Sequence, residues 1–187
     1  MRQRIQNYAA AFLGLSVEET WKQRVDRMHL YGTCLEWLMA DKGFTDVEDY
    51  LAAVHPIDEA DALPPDPALR KFLEGIPIPK AILTNSPREH VDRVLGKLGF
   101  EGLFTHIFDV RMCGFLGKPH PDFFSNALNI LGASIDTVLF IDDVPRYVEG
   151  FIHMGGTGIL FDEKNQYSDF PHPRIRHLEE LTAYLDG

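Results

Sequence analysis

The first third of the chain carries apolar side chains at the spacing of an α-helix, as at Ile5, Tyr8, Phe12 and Leu15. Residues 16–19 (SVEE) and 45–48 (TDVE) have the capping-box pattern, in which a hydroxyl and a carboxylate satisfy free amides at a helix start. The apolar spacing between these boxes predicts a further helix that ends near Gly43. This part of the chain is therefore predicted to contain helices only.

The pattern changes after a proline-rich stretch at residues 63–67, where Asp66 and Pro67 predict a new helix start. Short apolar runs then alternate with helical segments. The predicted strands are 80–85, 106–110, 137–142 and 157–161, and a closing helix is predicted over 174–185. Such alternation is typical of βα units. We expect a Rossmann-like, doubly wound parallel sheet in an α/β core at 64–187, preceded by a helical lobe at 1–63.

Composition narrows the possible partners. The 187 residues have a formal net charge of −10, which argues against a nucleic acid or an anionic membrane as partner.

Cys34 and Cys113 form no C-x-x-C pair, so a reducing cytoplasm is the simplest compartment. The basic and then apolar N-terminus resembles a secretory signal, but its helical spacing favours an amphipathic helix. No segment is long enough to span a bilayer.

Polar residues follow three of the predicted core elements. Thr84 and Asn85 lie where one predicted strand ends and a helix begins, Lys118 lies in a loop between Gly117 and Pro119, and Asp142 and Asp143 end another strand. Ligands of parallel sheets bind beyond the carboxyl ends of the strands, and helix N-termini attract phosphate. Paired carboxylates together with substrate phosphate suit Mg²⁺. The set therefore predicts a phosphate and magnesium site.

Each member of this set also has a purely structural interpretation. Ser86 and Glu89 have capping-box spacing, so the segment around Thr84 would simply start a helix. Lys118 would be a solvated loop lysine, and one of the two aspartates would be a helix cap. The histidines show no metal-ligand spacing, and His90 is interpreted either as a surface residue or as a substrate contact. Only the combination at successive strand ends favours a functional site.

Three motifs resemble the haloacid dehalogenase (HAD) superfamily, more narrowly its pyrimidine 5′-nucleotidase-like phosphatases. They are ILTNSPREH (82–90), GFLGKPHPDFF (114–124) and VLFIDDVPR (138–146), and residues 4–19 and 31–38 are similar to that group's helical cap. The resemblance implies that Thr84 and the amides near Asn85 bind the phosphoryl group. It also implies that Lys118 neutralises charge, that Asp142 binds Mg²⁺ and that Asp143 supports the metal. The implied substrate is a small phosphorylated metabolite, and the resemblance to this family alone leads us to expect a nucleotide 5′-monophosphate.

The same resemblance implies a first strand ending in D-x-D-x-T, whose first aspartate forms an aspartyl-phosphate. Asp109 and Asp162 follow apolar runs, but Arg111 and Lys164 occupy the position of the second aspartate, so both are interpreted as structural. We therefore expect this chain alone to be inactive, to bind Mg²⁺ weakly and to leave an incomplete sheet prone to self-association. Two explanations stay open: a nucleophile segment upstream of Met1, or an inactive HAD-fold protein that binds a phosphometabolite or a protein partner.

Overall fold

The computed structural model describes residues 1–185 and separates the chain into two units, Met1–Gly117 and Lys118–Gly187. The predicted division into a cap at 1–63 and a core at 64–187 remains a prediction, and the last two residues of that core lie outside the described residues. Within 1–185 no helix is both long and apolar enough to cross a membrane.

Helices occupy the start of the first unit, as the apolar spacing predicts. They are α1 (Arg2–Leu13), α2 (Val17–Arg27), α3 (Cys34–Lys42) and α4 (Val47–Val54). The capping box at Ser16 and Glu19 is confirmed, and Gly43 ends α3 in the left-handed conformation. The second predicted box is wrong, because Asp46 caps α4 and accepts from the Asp49 amide. An aspartate carboxylate caps a helix start as well as the hydroxyl of the neighbouring Thr45 would.

The core of this helical lobe is built from large side chains of α3 and α4. Trp37, Leu38 and Val54 are almost fully buried, and Tyr50 packs edge-on against Tyr8 of α1, with ring centroids 5.1 Å apart. Residues beyond the lobe contribute as well, since Val110 belongs to the same cluster. The lobe therefore shares its core with the part of the first unit that follows it.

The remainder of the first unit contains α5 (Pro67–Gly75), β1 (Ala81–Leu83), α6 (Arg88–Leu98) and β2 (His106–Phe108). Asp66 caps α5 through the Leu69 amide, at 2.9 Å, as predicted. The two strands are parallel and in register, with Ile82 opposite Ile107. A parallel pair connected through α6 is the βα unit that the alternating pattern predicts.

The second unit contains α7 (Pro121–Leu131), β3 (Leu139–Asp142), α8 (Pro145–His153), β4 (Thr157–Phe161), β5 (Arg174–Ile175) and α9 (Thr182–Leu185). The predicted helix over 174–185 is wrong at its start, because β5 pairs with the end of β4. Asp162 donates its amide to the Ile175 carbonyl at 2.8 Å. This long-range pairing overrides the local helical pattern.

Both units confirm an α/β fold with parallel strands and flanking helices. The strand orders are β1–β2 in one sheet and β3–β4–β5 in the other, with every pair parallel. Within the described residues, β1 and β3 each have a single neighbouring strand. The expectation of one further strand beside them stays a prediction.

Candidate active site

Thr84 directly follows β1 and extends its pairing, since its amide donates to the Phe108 carbonyl at 2.9 Å. The Thr84 hydroxyl oxygen accepts from the Ser86 amide at 3.0 Å. A hydroxyl that accepts in this way keeps its own proton for another acceptor. The predicted capping box at Ser86 and Glu89 is wrong, because the N-cap residue of α6 is Pro87, whose side chain accepts no hydrogen bond.

Asn85 is held against the backbone of Gly117. A Cβ atom placed on Gly117 would lie only 2.6 Å from Asn85 Cγ, which is far inside normal contact distance. Gly117 is thus needed for the close approach of this side chain. The amide of Asn85 is half-buried and has a defined position beside the start of α6.

Lys118 and Asp142 form a buried ion pair in the second unit. The Lys118 Nζ atom lies 2.5 Å from Asp142 Oδ2, and each side chain is 8% exposed. Lys118 Nζ also lies 5.6 Å from the Phe140 ring centroid and 5.4 Å from that of Tyr147. Lys118 is therefore no solvated loop lysine, since its charge is fixed by a carboxylate and two aromatic faces.

The Asp142 carboxylate is held from both sides, because its Oδ1 atom accepts from the Val144 amide at 2.9 Å. Burial raises the pKa of Asp142 above its ordinary value even though Lys118 opposes the shift, and Asp143 adds to the rise. Asp143 follows Asp142 directly in the chain, and it is exposed to solvent. Two carboxylates beside one ammonium leave one negative charge that a bound cation would offset.

Mg²⁺ fits the donor set of these two residues, because carboxylate oxygens are the ligands it prefers. Asp142 and Asp143 would hold the ion, with water and substrate oxygens as its other ligands. The exposed Asp143 carboxylate is the more accessible of the two. The N-terminus of α8, which begins at Pro145 with no side-chain cap, adds a positive dipole end nearby in the chain.

Asp109 and Asp162 have structural roles. Asp109 Oδ2 accepts from the Arg88 amide at 3.0 Å and from Arg111 at 3.1 Å. Asp162 is buried and accepts from the Gln166 and Tyr167 amides and from Arg174, the last at 2.6 Å. Carboxylates with their lone pairs engaged in this way are poor nucleophiles, which fits their structural interpretation.

Sequence patterns missed one cluster of charged residues in the first unit. Glu59 accepts from His90 Nδ1 at 2.6 Å and from Arg93 at 3.1 Å on one oxygen. Its other oxygen lies 3.0 Å from Arg4 and 3.3 Å from His55 Nδ1. His90 is therefore held by Glu59 and is not a plain surface residue, and its interpretation as a substrate contact stays a prediction. No local spacing signals a cluster whose members come from three separate segments.

Each unit contains parallel strands connected through helices, with Thr84 directly after β1 in the first unit and the Lys118–Asp142 pair at the end of β3 in the second. The haloacid dehalogenase-like hydrolase family matches residues 2–155, and the chain belongs to this family. The helical lobe and the parallel strands accord with the Rossmann-like fold and helical cap of its structures.

Individual relatives differ in the reactions that their names describe. Haloacetate dehalogenase H-2 from Moraxella sp. (strain B) is 31% identical over 110 residues, which are 55% of this chain and 49% of that protein. A HAD phosphatase from Thermococcus onnurineus has a TM-score of 0.60 at 16% identity, covering 98% of this chain and 87% of that one. A HAD-hydrolase from Bacillus subtilis bound to magnesium has a TM-score of 0.57 at 19% identity, covering 99% and 92%.

The extent of these similarities differs between the two kinds of relative. The matched region of this chain spans about half the length of the curated relative, 49%. The two solved structures are similar in fold alone, because their sequence identities of 16% and 19% are low. The family is thus established, whereas the relatives' names describe more than one reaction.

Proposed function

We propose that this chain supplies most of the site of a magnesium-dependent phosphatase for small phosphate monoesters. The observation that carries the proposal is the buried Lys118–Asp142 pair with the exposed Asp143 beside it. The carboxylates of Asp142 and Asp143 outnumber the Lys118 ammonium by one, so an anionic substrate needs a further cation beside these residues. A phosphate ester bound together with Mg²⁺ meets this condition.

Each residue of the proposed site has one task. The Thr84 hydroxyl, which already accepts from Ser86, donates its proton to a phosphoryl oxygen. Asn85 and the amides at the start of α6 bind the same group. Lys118 offsets negative charge on the phosphate, while Asp142 and Asp143 hold the metal. Bound Mg²⁺ supplies Lewis-acid stabilisation of charge on the phosphoryl oxygens.

The nucleophile of this phosphatase is proposed to be an aspartate on a strand that these 187 residues do not include. Asp109 and Asp162 support this view, because hydrogen bonds engage both carboxylates. A strand ending in D-x-D-x-T would supply both the attacking carboxylate and a general acid–base. The proposed substrates are nucleotide 5′-monophosphates, and this choice rests on the motif resemblance alone.

Dehalogenation of a short 2-haloacid is the second candidate, favoured by the 31% identity to haloacetate dehalogenase H-2. Such a substrate carries its own carboxylate and would approach Asp142 and Asp143 without the charge neutralisation that magnesium brings to a phosphate. This repulsion makes it the weaker candidate. A catalytically inactive protein that binds a phosphometabolite or a protein partner is the third.

Parallel assays of phosphate and halide release separate the candidates. The chain is extended at its N-terminus by an apolar strand ending in D-x-D-x-T and its connection, about 20 residues. We expect it to release phosphate from uridine monophosphate and from an aryl phosphate only when Mg²⁺ is present, and no halide from chloroacetate. Halide release without a metal requirement favours the dehalogenase, and neither product favours the inactive protein.

Matched variants of the extended chain assign the activity to the proposed residues. Asp142→Asn and Lys118→Ala are expected to lower kcat/KM at least about 100-fold, because the first removes a carboxylate that holds Mg²⁺ and the second removes the ammonium that offsets the phosphate charge. The exposed residues Asp136 and Lys164 provide the controls Asp136→Asn and Lys164→Ala, which should retain activity. Equal losses in test and control variants contradict the proposed site.

A further inference from the structure

The Glu59 cluster, consisting of Arg4, His55, Glu59, His90 and Arg93, joins three segments of the first unit. Arg4 belongs to α1, His55 and Glu59 follow α4, and His90 and Arg93 lie on α6. The Glu59 side chain is 5% exposed and every one of the other four residues contacts it. A single buried carboxylate therefore connects the helical lobe to the helix that begins after Thr84.

Backbone contacts strengthen the same connection. Arg4 donates to the Val54 carbonyl at 2.7 Å, and Arg93 donates to the His55 carbonyl at 2.9 Å. Both guanidinium groups thus hold the end of α4 as well as Glu59. One turn further along α6, Lys97 pairs with Asp61 at 2.8 Å on the exposed side of this contact.

The cluster has no net negative charge that would attract a proton to its histidines. Two arginines face one carboxylate, so the set carries one positive charge even before either imidazole is protonated. The His55 and His90 rings lie close together, with centroids 4.5 Å apart. His90 also lies in the first turn of α6, where the helix dipole disfavours a cation. Each added proton therefore meets repulsion from several neighbours.

The titration behaviour of the individual groups agrees with this geometry. Burial lowers the pKa of His55 to about 4, and the nearby His90 contributes in the same direction. Burial alone would raise the pKa of Glu59, but hydrogen bonds from His90 and Arg93 hold it below its ordinary value. The folded cluster thus favours neutral His55 and ionised Glu59.

The Glu59 cluster is better suited to taking up protons than to binding a metal ion. The donor atoms of His55, Glu59 and His90 lie within 4.8 Å of one another, as in many metal sites. However, each Glu59 oxygen already accepts from an arginine. A divalent cation would have to share that carboxylate with two guanidinium groups and would raise the positive charge of the cluster.

We propose that the Glu59 cluster is an acid-sensitive fastening, which holds the helical lobe to α6 near neutral pH and loosens as His55 takes up a proton. The unfolded chain binds a proton at His55 near pH 6.5, whereas the folded chain resists it until about pH 4. Stability rises with pH wherever the unfolded state binds more protons. The contribution of His55 is therefore complete above its unfolded pKa and is lost as the pH falls from about 6.5 towards 4.

Thermal unfolding of the full chain at pH 7.0 and pH 5.0 tests this proposal. His55→Asn keeps a donor at the place of Nδ1 but cannot take up a proton in this range. We expect the wild-type Tm to fall by about 4–7 °C more than the Tm of His55→Asn between the two pH values. The exposed His29 supplies the control His29→Asn, which should follow the wild type. Identical pH dependence of wild type and His55→Asn overturns the proposal.

Hydrogen exchange on the unmodified chain provides an independent test if the variant does not fold. After correction for intrinsic rates, acidification from pH 7.0 to 5.0 should reduce protection at residues 2–13, 55–63 and 88–98, and leave β4 and β5 protected. A uniform loss of protection, or none at these segments, contradicts an acid-sensitive fastening. Stabilisation of the wild type but not of His55→Asn by Zn²⁺ at pH 7.0 would also overturn it, in favour of a metal site.

Discussion

Lys118 shows how a buried cation is placed by a neighbouring carboxylate. Its Nζ atom lies 2.5 Å from Asp142, while the Phe140 and Tyr147 rings cover its other sides. Removing one member of such a pair leaves the other charge buried without compensation, and the cost is larger than the value of the pair itself. The pair can therefore be tested for its effect on stability without any substrate.

Lys118→Met is expected to raise the pKa of Asp142 further, because a favourable cation is removed from a carboxyl group whose pKa burial already raises. A raised pKa in the folded state means that stability is lost as pH rises through it. The variant should be about 2–4 kcal/mol less stable at pH 7, and the deficit should shrink near pH 4. Urea unfolding at both pH values measures it. Lys164→Met is the control, and a deficit independent of pH would contradict the charge argument.

Gly117→Ala is expected to displace Asn85, because the added Cβ would lie 2.6 Å from Asn85 Cγ. We expect a loss of about 1–3 kcal/mol in the free energy of unfolding. Gly75→Ala is a matched control, since no atom lies within 4 Å of a Cβ at that position. In the Asn85→Ala background the Gly117→Ala penalty should largely disappear. A penalty that persists there shows that another contact is responsible.

Among the elements, Asp109 connects the end of β2 to the start of α6 through the Arg88 amide. Arg111 extends the connection, with Glu48 of α4 at 2.7 Å and Glu89 of α6 at 3.1 Å. Asp109→Ala is expected to cost about 1 kcal/mol of stability, the usual effect of losing a helix cap. In the extended chain it should leave kcat within about twofold of the parent. A loss of kcat like that of Asp142→Asn would make Asp109 a participant in the reaction.

Some strand ends and helix starts were predictable from the sequence, because a few adjacent residues determine them. The apolar runs before Thr84 and Asp142, and the cap at Asp66, each depend on a few adjacent residues. The Lys118–Asp142 contact agrees with the expectation that polar residues gather near the carboxyl ends of the strands, since Asp142 is the last residue of β3. β5 was missed because its pairing with β4 comes from tertiary structure, and its own two residues give no signal.

The Glu59 cluster was missed for a related reason. Arg4 and Glu59 are 55 residues apart, and His90 and Glu59 are 31 apart, so no helical or strand spacing links them. The cap at Asp46 was also missed, because Thr45 and Asp46 are adjacent and either residue could cap the start of α4. Sequence patterns therefore predicted the strands and helices around the proposed site better than the long-range side-chain contacts between them.

For the whole molecule, we expect weak binding of magnesium by these 187 residues. Asp142 and Asp143 supply few of the oxygens that Mg²⁺ requires, and Lys118 already occupies one Asp142 oxygen. Calorimetric titration should give a dissociation constant in about the millimolar range, weakened further by Asp142→Asn. The Asp136→Asn control should bind as the parent does. Micromolar affinity would mean that further ligands complete the site.

Phosphate release by the 187-residue chain and by its extended form, measured side by side with Mg²⁺, decides whether the nucleophile lies outside these residues. We expect no turnover by the 187 residues, because Lys118 and the aspartates stabilise charge but do not attack phosphorus. Once the D-x-D-x-T strand is added, we expect Mg²⁺-dependent release of phosphate from uridine monophosphate. Turnover by the 187 residues that is lost on Asp142→Asn would contradict the proposed function, since a nucleophile would then lie within them.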